Sequence, residues 1–101
     1  MENNQKVLNM LGLAMRAGKL VSGEETTLKA VKSGDVSLVI IAADVSDNTK
    51  KKMHDKCLTY DTPIVMFMTK AHISHAIGRS RSIIGIKDRG FARKMRELMA
   101  N

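Results

Sequence analysis

His72 and His75 stand three residues apart, a spacing that lets two imidazoles on one helix touch a single metal ion. No further Cys, His or carboxylate stands at a recognisable spacing to complete such a site, so surface helix residues are the better account. Cys57 falls on an apolar helical stripe and reads as a buried small hydrophobe rather than a nucleophile. Glu24 and Glu25 are adjacent, point in different directions and cannot face each other as an acid/base pair. There is no Gly-rich phosphate loop ending in Lys-Ser/Thr and no Gly-x-Ser-x-Gly elbow. The expectation is a protein without catalysis, cofactor, metal or small-molecule substrate.

What remains is the chemistry of recognition, concentrated between Val21 and Gly34. This stretch reads as a strand end, a tight turn and a short capped helix. Ser22 stands where an N-cap should and Glu25 follows three residues on, the spacing of a reciprocal capping box. Gly34 supplies a left-handed stop. Thr27, Leu28 and Val31 fall on one face and can be buried, which turns Glu25, Lys29 and Lys32 outward together. Gly23 lets the backbone turn sharply and leaves it open to a ligand. A short helix that presents its N-terminus and a polar stripe suits the reading of anions or bases.

The charge distribution supports that use. From Lys70 to Arg96 the chain carries eight basic residues against Asp88 alone, whereas the remainder is balanced, so the net charge of +7 belongs to the C-terminal third. A one-sided basic field points to nucleic acid or another anionic surface, with solubility as the plainer alternative. With no Trp, one Tyr and two Phe, the core must be aliphatic, and single-strand binding by aromatic stacking is disfavoured. One cysteine forms no intramolecular disulfide and suits a reducing cytosol. No secretory signal is visible, and the longest apolar run, Leu38 to Ala43, is too short for a bilayer, so a soluble cytoplasmic protein is expected.

The surrounding elements follow from periodicity. Asn3 or Asn4 caps a first helix carrying Val7, Leu8, Leu11 and Met15 and closed by Gly18, with Gly12, Ala14 and Ala17 small enough for close packing. Lys19 to Val21 is a short strand. Leu38 to Ala43 lacks polar alternation, the pattern of a strand covered on both faces and hence central and parallel. After a loop at Asp44 to Asp47, a helix from Asn48 to Tyr60 carries Met53, Cys57 and Tyr60 on one side. Its Lys50-Lys51-Lys52 triplet reads as a solvated face. Ile64 to Met68 is a strand, Thr69 caps a helix from Lys70 to Ile77, and Gly78 ends it. Arg79-Ser80-Arg81-Ser82 is a basic loop before a strand at Ile83 to Ile86, and Asp88 caps a last helix showing Arg89, Arg93, Lys94 and Arg96 to solvent. The alternation predicts one α/β domain over residues 1–101, helices covering both faces of a sheet of about four strands. Ligands in such sheets gather at the loops leaving the strand ends, here the Ser22-Gly23 turn, Asp44 to Asp47 and, depending on topology, Gly78 to Ser82.

Gly23-Glu24-Glu25-Thr26-Thr27-Leu28-Lys29-Ala30-Val31, followed by Gly34 and Leu38-Val39-Ile40-Ile41-Ala42, resembles the signature of the kink-turn RNA-binding ribosomal protein superfamily, the L-seven-Ae/L-thirty-e type. Pro63-Ile64-Val65 is similar to the family's third strand, and Ile73-Ser74-His75-Ala76-Ile77-Gly78 to its short helix before a variable RNA-contacting loop. Leu11 to Lys19 ahead of Gly23-Glu24-Glu25 is most similar to the bacterial YlxQ-type branch. The resemblance covers nearly the whole chain. It implies a three-layer α/β/α sandwich with a mixed sheet that binds a sharply bent RNA internal loop closed by tandem sheared G·A pairs.

Carried over by position, the resemblance places Gly23 and the backbone of Glu24 close to RNA. It puts Glu25, Thr26 and Lys29 at base-reading places, with Lys32 on the same stripe and Arg79, Ser80 and Arg81 lining the second loop. Lys29 can donate to guanine O6 and N7, and the arginines can meet phosphates. The commonest family pattern has Asn followed by Glu or Gln where this chain has Glu25 and Thr26, so a carboxylate stands in place of an amide's donors. The expected partner is a structured RNA, ribosomal or another kink-turn, bound by a monomer associated with the ribosome. The alternative is a protein-interaction module on the same fold. A DNA binder using the last helix lacks a helix-turn-helix arrangement.

Overall fold

Leu38, Val39, Ile40 and Ile41 are all fully buried, and they divide the molecule's interior in two. Leu38 and Ile40 join one apolar cluster, Val39 and Ile41 the other, because successive side chains of a strand point to opposite faces. The computed structural model describes residues 2–100. Its elements are α1 (Glu2–Arg16), β1 (Leu20–Ser22), α2 (Glu24–Lys32), β2 (Leu38–Ile41), α3 (Asp47–Thr59), β3 (Ile64–Met66), α4 (Lys70–Ile77), β4 (Ile83–Ile86) and α5 (Arg89–Ala100).

The four strands lie in the order β1-β4-β2-β3. β2 runs parallel to β3, whereas β4 runs antiparallel to both β1 and β2, so the sheet is mixed and β2 is parallel on one side only. On one face, α1, α4 and α5 bury Val7, Leu11, Ile73, Ile77, Ala92 and Met95 against Leu38, Ile40, Ile84 and Ile86. On the other, α2 and α3 bury Val31, Met53 and Cys57 against Val39, Ile41 and Ile83. This is the expected three-layer α/β/α sandwich. Each large side chain so buried contributes roughly 1.5–3 kcal/mol relative to exposure.

Glycine permits the tightest approaches in both layers. A Cβ on Gly85 would lie 3.0 Å from Val21 Cγ2 and 3.1 Å from Val36 Cγ2, so only a bare Cα lets β1 and the segment before β2 close over β4. A Cβ on Gly12 would lie 3.2 Å from the Ala76 carbonyl oxygen, which sets the approach of α1 to α4. Ala14 is buried, but Ala17 lies past the end of α1 and is exposed.

Several boundaries differ from the expectations. Glu2 already belongs to α1, so neither Asn3 nor Asn4 is its cap. β1 is shifted to end on Ser22, which pairs with Ile84. The N-cap of α2 is therefore Gly23, at φ 94° and ψ 150°, and no side chain caps that helix. The capping box is absent because Ser22 is held in the sheet and its hydroxyl is engaged elsewhere. Ser46 caps α3 by accepting from the Thr49 amide at 3.2 Å, and Tyr60 follows the helix and is exposed. β3 stops at Met66 because Met68 adopts a positive φ of 53°, while Phe67 still turns into the core. Thr69 and Asp88 do act as N-terminal acceptors, for His72 and Phe91 respectively, and Gly78 ends α4 in the left-handed conformation.

Register brings the polar loops to one end. Ile41 pairs with both Met66 and Ile83, and Ser22 with Ile84. The exits of β1, β2 and β3 and the entry to β4 therefore share an edge of the sheet. α2, α3 and α4 all begin there.

Candidate nucleic-acid interface

Three helices begin at this end, each presenting unsatisfied N–H groups and the positive end of its dipole, and Glu24 and Asp44 stand there beside Lys70 and Arg81. Two of these helix starts are closed by their own side chains. Ser46 closes α3; Thr69 accepts from the His72 amide on α4, and Asp44 Oδ1 accepts from the Lys70 amide at 2.9 Å. The start of α2 has no side-chain cap, and its first amides remain available to an outside acceptor.

A cleft of about 370 Å³ opens at this end. It is lined by Gly23 and Glu24 at the start of α2, by Asp44, Val45, Ser46 and Thr49 around the start of α3, and by Lys70, Ser80, Arg81 and Ser82 from α4 and the loop into β4. The Arg81 loop is pinned to α4 by a reciprocal pair: the Arg81 amide donates to Ser74 Oγ at 2.9 Å and Ser74 Oγ donates to the Arg81 carbonyl at 3.0 Å. Arg81 then reaches across. Its Nε donates to Ser22 Oγ at 3.2 Å and its Nη1 to the Ser80 carbonyl at 3.0 Å. The side chain lies over Gly23, where a Cβ would be 3.7 Å from Nε. The positive φ of Gly23 and the amide it donates to the Ile83 carbonyl at 2.8 Å turn the chain sharply from β1 into α2 beneath that guanidinium.

The predicted residues thus fall into two adjoining groups. Gly23, Glu24, Ser80 and Arg81 meet in the cleft. Glu25, Thr26, Lys29 and Lys32 do not line it, but lie exposed on α2, opposite buried Thr27 and Val31. Glu25 forms neither the bond to Ser22 nor an ion pair with Lys29. Arg79 is exposed on the loop, outside the cleft lining, with its amide donating to the Ser74 carbonyl at 3.2 Å. Glu24 is the exception to an open arrangement: its carboxylate pairs with Lys52 of α3 at 2.7 Å.

Lys70 and Thr49 line the cleft and Lys52 pairs with Glu24, none of them expected at the site from the sequence, whereas Asp44 lies in the loop that follows an apolar strand. Lys70 carried a subtler signal, as the first residue of a helix behind a strand parallel to β2, which puts it at the same end. Lys52 belongs to a triplet that periodicity reads as solvated, and its pairing with Glu24 depends on how α2 packs on α3.

Away from this end, His72 accepts or donates at Nδ1 with Thr69 Oγ1 at 2.7 Å, and both His72 and His75 line a groove between α1 and α4. No cluster of metal-ligating side chains occurs among the described residues. Cys57 is fully buried, and burial pushes its thiol pKa up, as an inert core residue requires. No described helix is long and apolar enough to cross a membrane.

Residues 5–96 match the model of the Ribosomal protein L7Ae/L30e/S12e/Gadd45 family. The chain is 45% identical over 97 residues to a protein of Enterococcus faecium named RNA-binding protein YlxQ, covering 96% of this chain and 94% of that one. It is 38% identical over 91 residues to the Bacillus subtilis protein of the same name, covering 89% of this chain and 91% of that one. A Bacillus halodurans protein of unknown function has a solved structure that superposes with a TM-score of 0.92 at 44% identity, over 95% of this chain and 98% of its own. The Giardia lamblia 15.5kD RNA binding protein superposes with a TM-score of 0.78 at 23% identity, over 99% of this chain and 87% of its own, a likeness of fold. The chain belongs to the Ribosomal protein L7Ae/L30e/S12e/Gadd45 family.

Proposed function

We propose that this protein is a non-catalytic RNA-binding protein that grips a sharply bent, kink-turn-like internal loop with sheared G·A pairs and works in association with the ribosome in the cytoplasm. The observation that carries this reading is the uncapped N-terminus of α2 at Gly23, set beneath Arg81 and beside an exposed stripe of polar side chains. Backbone amides at a helix start bind phosphate oxygens, and side chains on the first turns reach base edges.

In this reading Gly23 and the Glu24 backbone lie closest to the RNA. Lys29 donates to a guanine edge, Thr26 donates or accepts beside it, and Glu25 accepts from an exocyclic amine. Lys32 extends the stripe toward phosphates. Arg79, Ser80 and Arg81, joined by Lys70, hold the backbone on the far side of the cleft. The protein favours the bent RNA by binding it more tightly than the extended form. The names of the Enterococcus and Bacillus subtilis relatives agree with it. Ultraviolet cross-linking in cells followed by sequencing of the attached RNA is the test. Bent internal loops cross-linked within Gly23–Lys32 and Arg79–Arg81 are expected; recovery of no enriched RNA counts against the proposal.

A further inference from the structure

The opposite end of the sheet carries a second cationic surface that the Gly23–Arg81 cleft does not use. Ile86 pairs with both Leu20 and Leu38, and Val39 with Ile64, so Ser37, Pro63 and Lys87 mark the edge farthest from Gly23. Beside them α5 presents Arg89, Arg93 and Arg96 at i, i+4 and i+7, all exposed and on one flank of a helix whose Ala92 and Met95 are buried. The arginines line an open cleft of about 660 Å³ together with Gly34, Val36, Ser37 and Pro63.

We propose that this stripe is a second RNA-binding surface, which takes the sugar-phosphate backbone of a duplex and lets one protein hold two RNA segments at opposite ends of its sheet. Arginine forks match phosphate oxygens in pairs, and a helix face rising 1.5 Å per residue spaces these three along roughly 10 Å. Arg89 and Arg96 form no ion pair among the described residues. Arg93 meets Glu97 only at 3.7 Å, with the two side chains 85% and 57% exposed, a contact that solvent weakens and phosphate can replace. Asp61 is the carboxylate in the lining and limits approach to the arginine side. The apolar part of the lining is limited to Val36, Pro63 and Ala92, without the aromatic anchors that dominate protein interfaces, which favours a nucleic-acid backbone over an acidic protein.

The probe is a plain RNA duplex with no internal loop, titrated with the intact protein at several salt concentrations. The wild type should bind it with a steep salt dependence. R89Q/R93Q/R96Q should weaken binding at least about tenfold and flatten the log–log slope by about 2 to 3, and R96Q alone by about 1. Arg81→Ala, at the other end, should leave duplex binding unchanged while weakening a kink-turn probe. Circular dichroism should show the triple variant folded, and R96Q serves if it is not. Wild-type duplex affinity in both arginine variants, loss of duplex binding in Arg81→Ala, or binding of poly-glutamate in place of the duplex each overturns the proposal.

Discussion

Arg81 Nε donates to the hydroxyl of Ser22 at 3.2 Å, tying the basic loop before β4 to the last residue of β1. The bond sets the guanidinium over the uncapped start of α2, so a phosphate arriving there meets amides below and a cation above. Replacing Arg81 with Ala should weaken binding to kink-turn RNAs of differing loop sequence alike and reduce the magnitude of their log–log salt slope by about 1. Gel shifts over a salt series read this directly. Ser22→Ala should have a smaller effect in the same direction, since it loosens the arginine without removing its charge.

Glu24 places a carboxylate at the rim of this cleft and occupies Lys52 at 2.7 Å. Glu24→Gln should therefore tighten RNA binding and steepen its salt dependence by about 1, as Lys52 becomes available to phosphate. Its effect on stability should be small, because both partners are partly solvated. Unchanged affinity would remove Lys52 from the interface.

Gly23 combines φ 94° with ψ 150°, a conformation close to glycine-only territory. Space is not the obstacle, since a Cβ would sit 3.7 Å from Arg81. Gly23→Ala should cost about 1–3 kcal/mol from backbone strain alone. In a domain of this size each kcal/mol lowers Tm by roughly 4–8 °C, which a thermal melt resolves.

How much of this was legible in the sequence depends on whether a feature is local. The unbroken apolar run from Leu38 named a strand buried on both faces, and Gly78 and Asp88 marked helix ends, because these properties belong to neighbours along the chain. The outward stripe of Glu25, Lys29 and Lys32 was legible for the same reason: Thr27 and Val31 had to be buried. Ser22 misled because its spacing to Glu25 fits a capping box, whereas pairing with Ile84 carries β1 to its end and gives its hydroxyl to a residue 59 positions away. Lys52 on Glu24, and Lys70 at the cleft, follow from layer packing and strand direction, which no local pattern encodes.

Thr27 is fully buried, and its Oγ1 has no hydrogen-bond partner among the described residues. Its methyl group fits the apolar layer of α2 while its hydroxyl is desolvated without compensation. Thr27→Val should stabilise the fold by about 1–2 kcal/mol, measured by denaturant midpoint at unchanged slope. A destabilised variant would reveal a hydrogen bond to that hydroxyl.

Selection of a bent RNA by the Gly23–Arg81 end, as we propose it, can be watched as the RNA bends. The most direct measurement is fluorescence energy transfer between the two helical arms of a kink-turn RNA, titrated with this protein in the absence of divalent metal ions. Transfer should rise to a plateau at one protein per RNA, and should fail to rise when the sheared G·A pairs are replaced by Watson–Crick pairs. Equal binding to both RNAs with no change in transfer would contradict the account.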